Sequence, residues 1–270
     1  VLPISAVPEV WVDDDFDPLT PGWGVTHFDN IQEGIDAVDS GGVVNVAEGV
    51  YQSDGSWGWK DFDISKSLSI IGAGSGLSVV ELRRVMNGVE IHGADLEVSM
   101  EGLTFTKKPT NTWASNYNFR IGETSSTFTN LTFKDIVVEY AYAQAVSLDS
   151  PGTSEAVNFE DCNIRDNRRY GLYSRGSVEE MSVLDTEFLD NGFTTVIFTG
   201  NHDNLLLENV EIVNAGLYSL SLGGTMGTVL LDGCNFHDSG QYLLYSNANI
   251  DEFTVEDCEL KTTTSNVGVD

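Results

Sequence analysis

"FEDCNIRDN" occupies residues 159–167, "LDGCNFHDSG" residues 231–240 and "VEDCELK" residues 255–261. In each stretch an Asp or Gly, a cysteine, one spacer and an apolar residue follow in that order. The apolar residues Ile164, Phe236 and Leu260 are separated by multiples of 24, and Phe188 and Ile212 fill the missing steps. The same phase aligns Cys162, Thr186, Val210, Cys234 and Cys258 two places earlier, and Asp161, Asp185, Asn209, Gly233 and Asp257 one place before those. Eight places after the apolar residue come Leu172, Val196, Leu220 and Leu244. A fixed period of this size marks a stack of structural repeats.

Within one repeat, "VNFE", "CNIR" and "YGLYS" alternate with period 2, the signature of short strands with one face inward. The Asp/Asn/Gly column falls between strands. These residue types tolerate positive φ best, so the column reads as a corner. Cys162 and Ile164 then share the inward face, and cysteine alternates with Thr and Val as a small core residue. The expected fold is all-β: a right-handed parallel β-helix of coils of 24 residues, closed at its N-terminal end by a helix. At a strand spacing of about 4.8 Å, roughly eight or nine coils make a rod about 40 Å long.

Upstream coils are less regular and are placed at 43–47, 68–72, 79–82, 89–91, 103–105 and 131–133. Phe105 and Phe133 differ by 28 residues and Phe133 and Ile164 by 31, so the excess over 24 is expected in loops. Before them, "HFDNIQEGIDAVDSGG" (27–42) has Phe28, Ile31, Ile35 and Val38 at helical spacing and ends in two glycines. The whole chain, 1–270, is expected to be one domain: a leader or first strand (1–26), a capping helix (27–42), coils (43–261) and a tail (262–270).

Composition narrows the partners. Forty-two acidic against 13 basic residues give a formal charge of -29. Such a surface repels nucleic acid and anionic lipid, and suits divalent cations, high salt or simple solubility. No run approaches ~18 consecutive apolar residues, so no membrane span is expected. "VLPISA" (1–6) reads either as the end of a signal peptide or as an ordered leader, and both readings lead to a secreted protein, extracellular or at the cell surface. Three cysteines do not make a disulfide framework, and free thiols are expected.

"VWVDDDF" (10–16), "FDNIQEGIDAVDSGGVVNVAEGVY" (28–51) and "ISKSLSIIGAG" (64–74) resemble the opening of secreted prokaryotic right-handed β-helix repeat proteins of the pectate-lyase-like superfold. The resemblance implies the fold and export. It implies little about activity, because that superfold hosts lyases, hydrolases, epimerases, adhesins and inert rods. Its hydrolases carry Asn-Thr-Asp, Asp-Asp and Gly-His-Gly motifs on successive coils. None of the three stands in register here.

Candidate site residues fall into four groups. Asp166, Asp190 and Asp238 (with Asn214 between) recur at one phase, so neighbouring carboxylates lie about 5 Å apart at the backbone. They read either as a catalytic carboxylate set or as turn residues bonding their own backbone. Glu187 and Glu211 form a second adjacent pair. "RDNRRYGLYSR" packs Arg165, Arg168, Arg169 and Arg175 into 11 positions, either an anionic-sugar subsite or neutralisation of the Glu160, Asp161, Asp185 and Asp190 columns. Trp57 and Trp59 in "SDGSWGWKDF", and Trp113, Tyr117 and Phe119 in "KKPTNTWASNYNFR", sit on expected loops. Tyr218 with Tyr242, and Tyr173 with Tyr245, form expected surface columns. Flat aromatic faces suit sugar rings.

Asp13, Asp14 and Asp15 are weak Ca²⁺ candidates without the glycine and spacing of an EF-hand loop. The four histidines lack the spacing of a zinc or copper site. No cofactor is expected from the sequence; Ca²⁺ is the one candidate. The leading expectation is a structural or adhesive surface module that binds carbohydrate or another surface protein and assembles end to end as an oligomer or head-to-tail filament. The alternative is a divergent polysaccharide lyase, glycoside hydrolase or epimerase acting on an acidic polysaccharide.

Overall fold

The structure, a computed structural model, describes residues 7–52, 60–82, 87–107, 117–122, 126–150 and 152–261, and the backbone of Gly268–Val269. Its strands stack in parallel as three walls of a solenoid. The first wall runs from Glu9–Val12 to Asn249–Glu256, the second from Gly49–Gln52 to Glu259–Lys261, and the third from Lys60–Ile64 to Gly268–Val269. Among the described residues no helix is long and apolar enough to cross a membrane.

The expected corner column is present. Asp135, Asp161, Asp185, Asn209 and Asp257 have φ between 47° and 53°, and Gly102 and Gly233, in the same column, have φ of 70° and 61°. Each turns the chain from the first wall into the second. Short polar side chains and glycine visit this left-handed region at least cost, which is why the column contains no bulky residue. Asn209 Nδ2 donates to Asp185 Oδ1 at 3.0 Å, so even the corner side chains are tied from coil to coil.

Inside the corner, the 24-residue columns pair as read. Ile164, Phe188, Ile212, Phe236 and Leu260 are successive partners on the second wall. The first four are at most 1% exposed, and Leu260 is partly buried. The cysteine column behaves as a small-residue ladder with weak hydrogen bonding. Cys162 N–H donates to Thr186 Oγ1 (3.3 Å), Cys234 N–H to Cys258 Sγ (3.2 Å), and Cys162 Sγ to Phe133 O (3.3 Å). All three cysteines are free, and burial pushes the Cys162 and Cys234 thiols up to about 12.

Upstream, the structure corrects the assignment of coils. Leu96–Thr106 and Phe128–Glu139 are long strands that bend at Gly102 and Asp135 and so serve both walls. Phe133 belongs to the first wall, beside Met100 and Phe159. The true continuation of the Ile164 column is Val138, then Phe105, then Val80. The intervals of 28 and 31 therefore joined residues of different walls. Phe119, expected on a loop, is a core residue at 0% exposure in the third-wall strand Tyr117–Ile121. The 262–270 segment, expected as a tail, contributes Gly268–Val269 as a third-wall rung beside Tyr242 and Leu244.

The helix is shorter than 27–42. It spans Ile31–Ala37 and is called α1. Asn30 sets its start, accepting the N–H groups of Gln32 (2.8 Å) and Glu33 (3.4 Å). Phe28 instead lies in the short strand His27–Phe28 beside Val12, and Val38 is the extended C-cap. The apolar set is nonetheless right: Phe28, Ile31, Ile35 and Val38 are all buried. Gln32 exchanges two hydrogen bonds with the backbone of Asp63, accepting its N–H (2.7 Å) and donating to its C=O (3.2 Å). A side chain of α1 thus satisfies the backbone N–H and C=O of Asp63 in the first third-wall strand.

Candidate functional site

Asp166, Asp190 and Asp238 stand one per coil at the corner that leaves the second wall, with Asn214 between them. Their φ values are 55°, 54° and 61°, and that of Asn214 is 54°. Asn214 Nδ2 donates to Asp190 Oδ1 (2.9 Å), and Asp238 Oδ2 meets His237 Nδ1 at 2.7 Å. The three carboxylates form a ridge parallel to the rod axis and do not surround a common point. Behind the ridge, buried Asn167 donates to Asn191 Oδ1 (3.0 Å), and Asn191 donates to Ile164 O (2.9 Å). This ladder satisfies the polar groups of the turn. Glu187 and Glu211 are direct partners on the outer second wall. Asn163 donates to Glu187 (2.8 Å), and His237 lies 3.5 Å from Glu211.

Only one of the arginines meets an expected acidic column: Arg165 Nε lies 3.9 Å from Asp166, in the Asp190 column. Arg165 pairs with Glu139 at 3.0 Å and Arg175 with Asp149 at 2.8 Å, whereas Glu160 is paired with Lys134 at 2.7 Å. Arg168 lies over the Tyr142 ring at 4.1 Å and Arg175 over the Tyr173 ring at 5.7 Å. Arg169 is exposed.

The outer face of the third wall gathers the aromatics. Tyr218 and Tyr242 are rung partners with ring centroids 5.6 Å apart, and Tyr245 stacks on Tyr218 at 5.1 Å and 17°. Towards the middle of the wall, Tyr170 stacks on Tyr173 at 5.5 Å and meets Phe193 edge-on at 5.5 Å. Tyr173, Ile197, Ser221 and Tyr245 form one outward row, as the sequence indicated for its ends. Tyr117 lies in the other row, between Asn87 and Gln144, with Tyr170 next. Trp57, Trp59 and Trp113 lie outside the described residues.

The same wall carries a charged end that the sequence did not reveal. Lys60 bonds Asp63 (2.6 Å) and lies 3.6 Å from Glu90. His92 Nε2 meets Asp63 Oδ1 at 2.7 Å, and Arg120 pairs with Glu90 at 3.0 Å. Asp63, Glu90 and Arg120 are successive rung partners, at intervals of 27 and 30 residues. Those unequal intervals hid them from a search in steps of 24. Nearby, burial pushes the Lys107 ammonium down to about 7, against the opposing pull of Asp61, and its Nζ donates to Tyr117 O at 3.4 Å. A lysine shifted in this direction holds more of its neutral amine form at neutral pH than an ordinary lysine does.

Asp13 and Asp14 use their carboxylates on backbone, Asp13 Oδ1 accepting Asp15 N–H (3.0 Å) and Asp14 Oδ2 accepting Val50 N–H (3.4 Å). Among the described residues no group of three or more His, Cys, Asp or Glu side chains is arranged to hold a metal ion.

No curated protein matches the sequence. Among solved structures, a pectin methylesterase from Erwinia chrysanthemi superimposes with a TM-score of 0.56 at 12% identity, over 98% of this chain and 94% of that one. A pectin methylesterase in complex with a hexasaccharide gives 0.57 at 11% identity, with the same coverages of 98% and 94%. At such identity these likenesses speak to the fold. The family described as "right handed beta helix region" matches residues 117–269, more than half of the chain. With three parallel walls, a left-handed corner in every regular coil and that match, the chain belongs to the right-handed β-helix family.

Proposed function

We propose that this protein is an extracellular or cell-surface β-helix module that binds polysaccharide along its third wall. The observation that carries the reading is the tyrosine group Tyr218, Tyr242 and Tyr245, continued by Tyr170 and Tyr173 on the same face. Rungs about 4.8 Å apart set aromatic faces at a pitch comparable to the width of a sugar ring, so a glycan lying along the rod meets one platform after another. The fold shared with pectin methylesterases supports a carbohydrate partner. Affinity electrophoresis in gels cast with different polysaccharides tests this. At least one polysaccharide retards the wild type, and Tyr218→Ala/Tyr242→Ala/Tyr245→Ala abolishes the retardation. Equal mobility of the two proteins in every gel would end the proposal.

A second reading, a divergent polysaccharide lyase, hydrolase or epimerase, is favoured by the charged end of that wall. Lys60, Asp63, His92, Glu90 and Arg120 bring carboxylate, imidazole and cationic groups within hydrogen-bond reach of one another, as acid–base chemistry needs. Under this reading wild type releases reducing ends or unsaturated uronides from a polysaccharide, or exchanges a ring C–H proton with solvent as it epimerises, and Asp63→Asn does none of these.

A further inference from the structure

The residues between the first strand and α1 build a cleft that the third wall does not account for. It lies at the N-terminal end of the first wall, where Trp11, Asn45 and Ile71 are successive rung partners facing outward. His27 stacks against the Trp11 indole at 5.4 Å and 19°, and Phe16 packs on His27 at 5.0 Å. Trp11 nonetheless remains 39% exposed, and so does Ile71. An indole braced by a neighbouring ring, with an exposed aliphatic side chain two rungs away, leaves an apolar surface open to a ligand. The cleft in front of it has a volume of about 290 Å³ and is lined by Trp11, Phe16, Ile71, Asn45 and Asp13 together with backbone.

Size and chemistry choose the occupant. The volume is at the bottom of the roughly 300–1,000 Å³ of drug-sized sites, so the cleft takes one ring and not a chain. An aromatic wall and an aliphatic floor suit the C–H face of a pyranose. The Asp13 carboxylate accepts hydroxyl hydrogen bonds. Asn45 is fixed in place by donating Nδ2 to Glu9 Oε1 (2.9 Å) and Val10 O (3.3 Å). Charge then excludes acidic sugars: Glu9, Asp13, Asp14, Asp15 and Asp17 crowd residues 9–17 with no Lys or Arg among them.

We propose that the cleft of Trp11, Phe16, Ile71, Asn45 and Asp13 is a subsite for a single uncharged hexopyranose, distinct from the third wall. It stands independently of the reading given to that wall.

Saturation-transfer NMR detects ligand protons directly and so avoids the ambiguity of five tryptophans. The probes are methyl glucoside, methyl galactoside and galacturonate. Wild type transfers saturation to the ring protons of at least one neutral glycoside and not to galacturonate. Trp11→Ala loses the transfer, and so does Ile71→Glu, which places a charge in the cleft from an exposed position away from the core. Both variants are compared with wild type by thermal melting, and a variant that fails to fold leaves the decision to the other. The Tyr218→Ala/Tyr242→Ala/Tyr245→Ala protein keeps the transfer, which separates this site from the third wall. Absence of transfer to both neutral glycosides, undiminished transfer in the folded cleft variants, or equal transfer to galacturonate would overturn the proposal.

Discussion

Asp190 shows how one residue type answers two questions. A recurring carboxylate on neighbouring coils has the look of a catalytic set, yet its φ of 54° explains the recurrence by backbone geometry alone. Asp190→Gly is therefore expected to leave stability within about 1 kcal/mol of wild type, whereas Asp190→Val costs about 1–2 kcal/mol, because a β-branched side chain resists the left-handed region. Urea denaturation of the two variants distinguishes them, and similar losses in both would point to a role for the carboxylate itself. His202 is the opposite case, a polar residue in an apolar column between Val178 and Met226. It is 1% exposed, packs edge-on against Phe198, and burial lowers its pKa from 6.5 to about 4. The fold thus favours neutral imidazole. Its contribution is whole above pH 6.5 and is lost as pH falls towards 4, where the unfolded chain takes up the proton and the folded chain does not. The loss is on the order of 3 kcal/mol. His202→Met should flatten this part of the stability–pH curve relative to wild type; parallel curves would mean that the ring is solvated. The 24-residue phase placed residues such as Phe188 on the inner wall, but nothing in it marked His202 as buried. A histidine among Val and Met at one phase looks the same whether it faces in or out.

The coils and α1 differ in how well local sequence specified them. From residue 159 onwards successive coils have equal length, with rung partners 24 residues apart, so period and wall stay locked. Before that, segments of variable length separate the strands, and third-wall residues Ile64, Ile91, Ile121, Leu148 and Ser174 recur at intervals of 27, 30, 27 and 26. That drift hid the charged end of the candidate site, while the tyrosine end, inside the regular half, was legible. For α1, Gly34 gives a test whose sign decides the packing. On an exposed helix Gly34→Ala would stabilise by up to about 1 kcal/mol. Here a Cβ would lie 2.8 Å from Val12 Cγ2 and 3.3 Å from Val44 Cγ1, both on stiff side chains, so the substitution is expected to destabilise by about 1–3 kcal/mol. A gain in melting temperature would show that α1 does not press on the first coil. At the other end, Phe253 and Val255 are each 43% exposed, while their partners Val229 and Leu231 in the preceding coil are at most 1% exposed. Apolar side chains open in this way among the described residues can pair with another chain, and Asp251, Glu252, Glu256, Asp257 and Glu259 surround them with like charge. The account expects self-association that grows with salt, as screening weakens that repulsion, and that Val255→Lys suppresses. Light scattering that stays monomeric at every salt concentration would contradict end-to-end assembly.

Taken whole, the molecule is a rod whose walls divide the labour. On the second wall and its corners, carboxylates and amides take part in turns and ladders. The first wall ends in the Trp11 cleft. The third carries charge at one end and stacked tyrosines at the other, and the Arg168–Tyr142 and Arg175–Tyr173 pairs lie between them. A glycan laid along the third wall would touch several coils at once, which a rigid solenoid supports without ordering any loop. The direct test is an NMR titration of the assigned protein with an oligosaccharide of a polysaccharide that retards it in gels. The account predicts chemical-shift changes along one face, at Tyr170, Tyr173, Tyr218, Tyr242 and Tyr245. Changes centred on the ridge of Asp166, Asp190 and Asp238, with the tyrosines unmoved, would contradict it.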